Sequence, residues 1–332
     1  MGHPPRVRSR IAMAGIRRVL VTGAHGFIGS HLAAALLDRG YQVSILRREG
    51  SDLRRIGHLL DRITPLTADL RDPEQVQRAV RTASPDAILH LAAYYAVEHT
   101  PDQVSIMVDT NVKGAVALLD AARTVEIPLF VNTSTCTVYR ERETPRAEAD
   151  PVGPQNLYDL TKLQAEEACR FFRDRFSVPS VTLRIFPPYG PGDNERRLIP
   201  SVIRKLLAGE SPALTTGMQR WDFVHVRDIV AAYLAVLSSP EQALHGGVFN
   251  VATGDPKTVR EVVEQVRTLL GSGTELRWGA VPHRRNEIWL NSGNPEKIRT
   301  MLGWEPRVSP EEGLQETVTW FRDHPRKPGG TG

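Results

Sequence analysis

The chain has 332 residues, 41% hydrophobic and 24% charged, so it can bury a large core and is neither disordered nor fibrous in composition. Its net charge of +4 is a property of one end: Arg6, Arg8, Arg10, Arg17 and Arg18 supply +5 with no acid among residues 1–18, so the rest sums to −1. That argues against a nucleic-acid-binding surface, and with no run of about 18 apolar residues and no secretory leader pattern, a membrane partner is not expected either. Two cysteines, Cys136 and Cys169, are too few for a disulfide scaffold, and the histidines lack metal-ligand spacing, so a metal-free protein of a reducing, cytoplasmic compartment is expected.

Residues 1–16 read as a flexible basic extension, with Met13 as an alternative start. From there the pattern alternates: strand 18–22, helix 27–39, strand 42–46, short strand 63–67, helix 73–83, strand 86–91, helix 103–126, strand 128–133, helix 157–176 and strand 180–185. Short apolar runs bounded by Gly, Pro or Asp and separated by helical periodicity predict an α/β fold, a doubly wound parallel sheet over residues 17–186. The run Pro187-Pro-Tyr-Gly-Pro-Gly192 reads as a linker into a smaller, interleaved α/β region, 187–324, that would carry substrate specificity. Helices are expected there at 198–208, 226–238, 257–271, 294–302 and 310–323. A strand at 247–251 suggests that 222–252 returns to the first domain, and 325–332 should fray.

Two local patterns carry chemistry. In Val19-Leu-Val-Thr-Gly23-Ala-His-Gly26-Phe27-Ile28-Gly29, a buried strand runs through a glycine turn into a helix whose free N–H groups suit a pyrophosphate. Tyr158 and Lys162 stand four residues apart on a predicted helix, so a phenol and an ammonium share one face. A tyrosine titrates near ~10, and a neighbouring cation makes it a better proton exchanger near neutral pH. Ligands in such sheets bind at the strands' carboxyl ends, which brings Gly23, Ala92, Ala93, Thr133, Ser134 and Thr135 toward one crevice.

With these patterns placed, the chain resembles the extended short-chain dehydrogenase/reductase family, the nucleotide-sugar epimerases, dehydratases and ketoreductases. The resemblance runs from about residue 17 to 323. It rests on Thr22-Gly23-x-x-Gly26-x-x-Gly29, Asp69-Leu70, His90-Leu91-Ala92-Ala93, Asn111-Val-x-Gly114, Thr133-Ser-Thr135-x-x-Val-Tyr139, Tyr158-x-x-x-Lys162, Asp222-Phe-Val-His-Val226 and Leu302-Gly-Trp-x-Pro306. It implies a nicotinamide cofactor that exchanges hydride with a sugar carbon while Tyr158 exchanges the proton. Lys162 would bind the nicotinamide ribose and lower the tyrosine pKa, and the Thr135 hydroxyl would bond the reacting oxygen. The cofactor would lie along Gly23, Gly26, Phe27, Ile28, Gly29, Asp69, Leu70, Leu91, Ala92, Ala93, Asn111 and Thr133.

Where an NAD-preferring relative would end its second strand in an acid, this chain has Arg47 and Arg48, a fork for a 2′-phosphate, so NADP(H) is favoured with NAD(H) as the alternative. Tyr94 and Tyr95 should border the hexose. The Asp-Glu pair that family dehydratases carry after the threonine is replaced by Cys136-Thr137, which disfavours the usual dehydration and leaves the tyrosine as the obvious acid or base. Trp221 stands in place of a diphosphate arginine, with Arg220 one residue earlier, and Arg284 matches another; Pro187 replaces an asparagine. The leading expectation is an NADPH-dependent reductase of a 4-keto nucleotide sugar working as a homodimer. A 4-epimerase is the alternative, with an atypical dehydratase or a non-catalytic dinucleotide sensor behind it.

Overall fold

A computed structural model describes residues 15–96 and 98–325; the basic extension up to residue 14 and the tail from 326 lie outside the described residues. Seven parallel strands form the central sheet: β1 (Arg18–Thr22), β2 (Gln42–Arg47), β3 (Ile63–Thr67), β4 (Ala87–His90), β5 (Leu129–Thr135), β6 (Ser180–Ile185) and β7 (Val248–Val251). Their spatial order is β7-β6-β5-β4-β1-β2-β3, so the chain reverses direction across the sheet between β1 and β4. A crevice opens at the carboxyl ends there, and β1 registers with both neighbours, Thr22 lying opposite His90 and Leu46.

Strands buried on both faces read as continuous apolar runs, and helices cover each side. Leu32, Ala33 and Leu36 of the helix Phe27–Asp38 pack with Ile229, Tyr233 and Val236 of Val226–Ser238 on one face. Val76, Ala79 and Val80 of Pro73–Ala83, Leu118 and Ala122 of Gly114–Thr124, and Phe172 of Leu157–Phe176 cover the other. Each buried Val, Leu, Ile or Phe among these contributes about 1.5–3 kcal/mol, which makes the sheet a rigid platform for its loops. A third apolar cluster lies apart, where the helices Leu198–Leu207, Val259–Leu270 and Pro310–Asp323 meet through Ile203, Val263, Val318 and Phe321.

Several boundaries differ from the expectation. The helix expected at 103–126 starts at Pro101, where Thr100 and Gln103 form a capping box, and a π-helical turn at Asp109–Lys113 interrupts it before Gly114. β5 runs on to Thr135 because Thr133, Ser134 and Thr135 continue pairing with β6. In the predicted linker, Pro188–Tyr189 pairs in parallel with Val224–His225, since the Pro187 carbonyl still accepts from the Val224 N–H. The sequence reading missed the 3-10 helix Arg54–Arg62 and the helix Pro240–Gly246.

Candidate active site

At the end of β1 the chain must turn tightly. Gly23 has φ +72°, and a Cβ there would sit 2.7 Å from the Ala92 nitrogen, so only glycine lets the β1 and β4 ends approach. The Gly26 N–H donates to the Gly23 carbonyl at 2.9 Å, and the next helix begins at Phe27. No side chain caps Gly26, and the first turn carries no acid, so the N–H groups of Phe27, Ile28 and Gly29 face the crevice as a positive end. The Thr22 hydroxyl accepts from the Ala92 N–H and pairs with His90 Nδ1, tying the first strand end to the fourth.

Tyr158 and Lys162 lie on the helix Leu157–Phe176, which Asn156 starts by accepting from the Asp159 N–H. The exposed Tyr95 stands edge-on to Tyr158, ring centres 4.8 Å apart. Burial raises the phenol's pKa; Tyr95, Asp159 and Cys136 add to this, while Arg197 opposes it. Lys162 is itself buried, which pulls its pKa down to about 8, and its field acts on His90. The cation whose field lowers the phenol here is Arg197, against the larger effect of burial. Sequence reasoning missed Arg197; its only signal was the basic run after the proline linker.

Thr135 ends β5 with its hydroxyl 2.8 Å from that of Thr137, and it accepts from the Thr137 N–H at 3.2 Å. Thr137 in turn donates to the Asp159 carboxylate. Ser134 points away and donates to Glu166, which holds Arg184 in a buried pair.

A profile of the NAD dependent epimerase/dehydratase family matches residues 19–252. The chain belongs to that family. It is 29% identical to a UDP-glucose 4-epimerase of Halalkalibacterium halodurans over 92% of this chain and 96% of that one. A dTDP-glucose 4,6-dehydratase of Streptomyces niveus is 32% identical over 92% of this chain and 93% of its own. The solved UDP-glucose 4-epimerase of Thermus thermophilus in complex with NAD superimposes with a TM-score of 0.83 at 29% identity, covering 92% of this chain and 99% of that chain. The chain is thus an enzyme of a nucleotide-sugar family that uses a nicotinamide cofactor.

The residues present fit that cofactor. A Cβ at Gly29 would lie 2.1 Å from the Gly23 carbonyl oxygen, so the glycines hold the pyrophosphate cradle open. At the end of β2, Arg47 has a buried Nε without a hydrogen-bond partner, and the exposed Arg48 acts electrostatically on His25 of the glycine turn, whose buried Nδ1 is also unpartnered. Asp69 is held by the Arg71 guanidinium and backbone N–H, which lowers its pKa, and Arg48 adds to this. Leu70 is buried in the core beneath Gly114, which leaves only its backbone for the crevice. Leu91 and Ala92 are partly buried and Ala93 is exposed beyond β4.

The geometry bears on four of the expected contacts. Asn111 accepts from the Tyr94 N–H at 2.7 Å through its carbonyl and donates with its amide to the Tyr94 carbonyl and to Thr161, so it shapes the Tyr94 loop and both its N–H donors are taken. The Thr133 hydroxyl shares a hydrogen bond with the Tyr233 hydroxyl. Cys136 is 3% exposed, its thiol pushed up to about 12 by burial, so it packs under the turn. Thr137 spends its hydrogen on Asp159, a carboxylate beside the position vacated by the dehydratase pair, so the tyrosine is not the only acid or base nearby.

On the other wall, Arg284 lines a recess of about 500 Å³ with Glu141, Gln155, His283 and Trp289. The exposed Arg220 lies on a two-residue strand paired with Leu290–Asn291, so both arginine segments belong to one layer, stitched by a 3.2 Å contact between Gln219 and His283. Trp221 does not replace the missing arginine, since its indole N–H donates to the Ile288 carbonyl.

Proposed function

We propose that this enzyme reduces the C4 ketone of a nucleoside-diphosphate hexose with NADPH. The observation that carries the cofactor half is the end of β2, where Arg47 and Arg48 present donors and no acid to accept from ribose hydroxyls. The bound nicotinamide would supply hydride to the sugar carbon. Tyr158 would deliver the proton to the developing alkoxide, and Thr135 would hold the same oxygen with its hydroxyl. Lys162 would bind the nicotinamide ribose from its buried position, while Tyr94, Tyr95, Arg220 and Arg284 would hold the hexose and the diphosphate. The sheet with its returning strand would form the dinucleotide domain and the third apolar cluster the core of the substrate domain.

A second reading, 4-epimerisation with a tightly held NAD, is favoured by the named relatives and uses the same Tyr158, Lys162 and Thr135. Incubation with NADPH and a 4-keto nucleotide sugar, set beside UDP-glucose alone, separates the two. Stoichiometric loss of NADPH absorbance supports reduction, whereas isomerisation of UDP-glucose without net redox change replaces it with the epimerase. Exposed Val104, Val116, Leu160, Phe171 and Phe176 on the helices between 101 and 176 support pairing with a second copy, which sedimentation would measure. A cytoplasmic setting suits both substrates. No helix among the described residues is long and apolar enough to cross a membrane.

A further inference from the structure

Asp159 follows the tyrosine directly and is 2% exposed, yet no cation pairs with it among the described residues. Its bonds come from the Asn156 amide at 2.8 Å, the Gln155 N–H and the Thr137 hydroxyl. Tyr158 on its own helix and Cys136 on the facing turn feel its charge; Lys162 lies one turn further along and makes no ion pair with it. Burial pushes the carboxyl up to about 6, within the range where it exchanges its proton near neutral pH.

Hydrogen bookkeeping then constrains Thr135. A hydroxyl has one hydrogen. While Asp159 is ionised it only accepts, so Thr137 donates to it and Thr135 must donate to Thr137 to keep their 2.8 Å bond. Thr135 then offers the crevice a lone pair, which suits a sugar hydroxyl as donor. When Asp159 is protonated it donates to Thr137, Thr137 donates to Thr135, and the Thr135 hydrogen is freed for a carbonyl or alkoxide oxygen. No bond to carbon changes in this reversal; each hydroxyl keeps one hydrogen and only the direction of the chain differs.

We propose that Asp159 is a positioning residue that sets, through Thr137, whether the Thr135 hydroxyl donates to the reacting oxygen or accepts from it. The carboxylate would thereby match the site to a ketone when protonated and to an alcohol when ionised. This rests on the reading that Thr135 faces the reacting oxygen.

The test uses the full chain, NADPH and dTDP-4-keto-6-deoxyglucose over pH 5–8, with an infrared titration of the carboxyl band in protein without substrate. In the wild type, kcat/KM for ketone reduction should fall about tenfold as Asp159 ionises, the worth of one donated hydrogen bond. In Asp159→Asn the amide oxygen faces the Asn156 and Gln155 donors and the NH₂ faces Thr137, so this variant should keep the low-pH value throughout. Thr137→Val should flatten the profile near the low-pH value, because Thr135 then has no hydroxyl to donate to, and should raise the pH at which the carboxyl band titrates, because the carboxylate loses a donor. A wild-type profile that persists in Asp159→Asn overturns the proposal. If no variant oxidises NADPH with this sugar, the reading of the reaction fails, and the infrared titration decides the relay. A band near pH 6 that is missing in Asp159→Asn and shifted in Thr137→Val supports it; its absence from the wild type overturns it.

Discussion

Replacing Gly29 with alanine would place a Cβ 2.1 Å from the Gly23 carbonyl oxygen and 2.8 Å from the Ala24 Cα. Carbon–oxygen contacts of even the closest favourable kind lie near 3.3 Å, so the turn must retreat by about 1 Å. Overpacking of that order costs about 1–3 kcal/mol, which at this chain length lowers the melting temperature by roughly 1–4 °C. The retreat also moves the Phe27, Ile28 and Gly29 N–H groups off the pyrophosphate. A bond to a charged group is worth about 1.5–3 kcal/mol, so dinucleotide affinity should fall at least about tenfold for each one lost. Thermal unfolding and a fluorescence titration with NADPH and NADH measure both effects. Gly57→Ala is the control, since a Cβ there meets nothing within 4 Å. If Gly29→Ala melts and binds like the wild type, the turn does not hold the phosphates as argued.

The double change Arg47→Ala and Arg48→Ala should cost NADPH affinity about tenfold or more while sparing NADH, as calorimetric titration of each dinucleotide would read. Equal losses for both would mean that the arginines only stabilise the strand end. Because burial lifts Asp159 from 3.8 to about 6, its ionised form is unfavourable in the folded state, by about 3 kcal/mol above pH 6. That cost disappears as pH falls through 6 toward 3.8. The stability advantage of Asp159→Asn over the wild type in urea titrations should therefore be larger at pH 7.5 than at pH 4.5; a constant difference contradicts this. Glu166→Ala would leave the Arg184 guanidinium, 7% exposed, without its carboxylate, and chemical unfolding should show a loss of about 3–5 kcal/mol. A loss below about 1 kcal/mol would mean that the pair is replaceable.

The parallel sheet, the glycine turn and the Tyr158 helix were legible in the sequence because each depends on local pattern: apolar runs of strand length, three glycines at fixed spacing, and residues one helical turn apart. β1, β3 and the helices 73–83, 157–176, 226–238 and 310–323 fall on the expected boundaries for that reason. What side chains do with their last hydrogen bond is decided by partners distant in sequence. Nothing local indicates that Asn111 spends its amide on Tyr94 and Thr161, that Thr133 meets Tyr233 a hundred residues on, or that the Lys162 charge acts on His90. Asp159 lay in plain view inside the Tyr158-to-Lys162 run, but a carboxylate on a helix is ordinarily solvated. Only packing of β5 against that helix buries it behind Thr137, removes its solvent and brings its titration toward neutral pH. The sequence alone determined the chemistry the crevice can hold, because residue types and short spacings specify it. The tertiary structure decided which groups are free to perform it, because hydrogen-bond partners and burial are long-range properties of the folded chain.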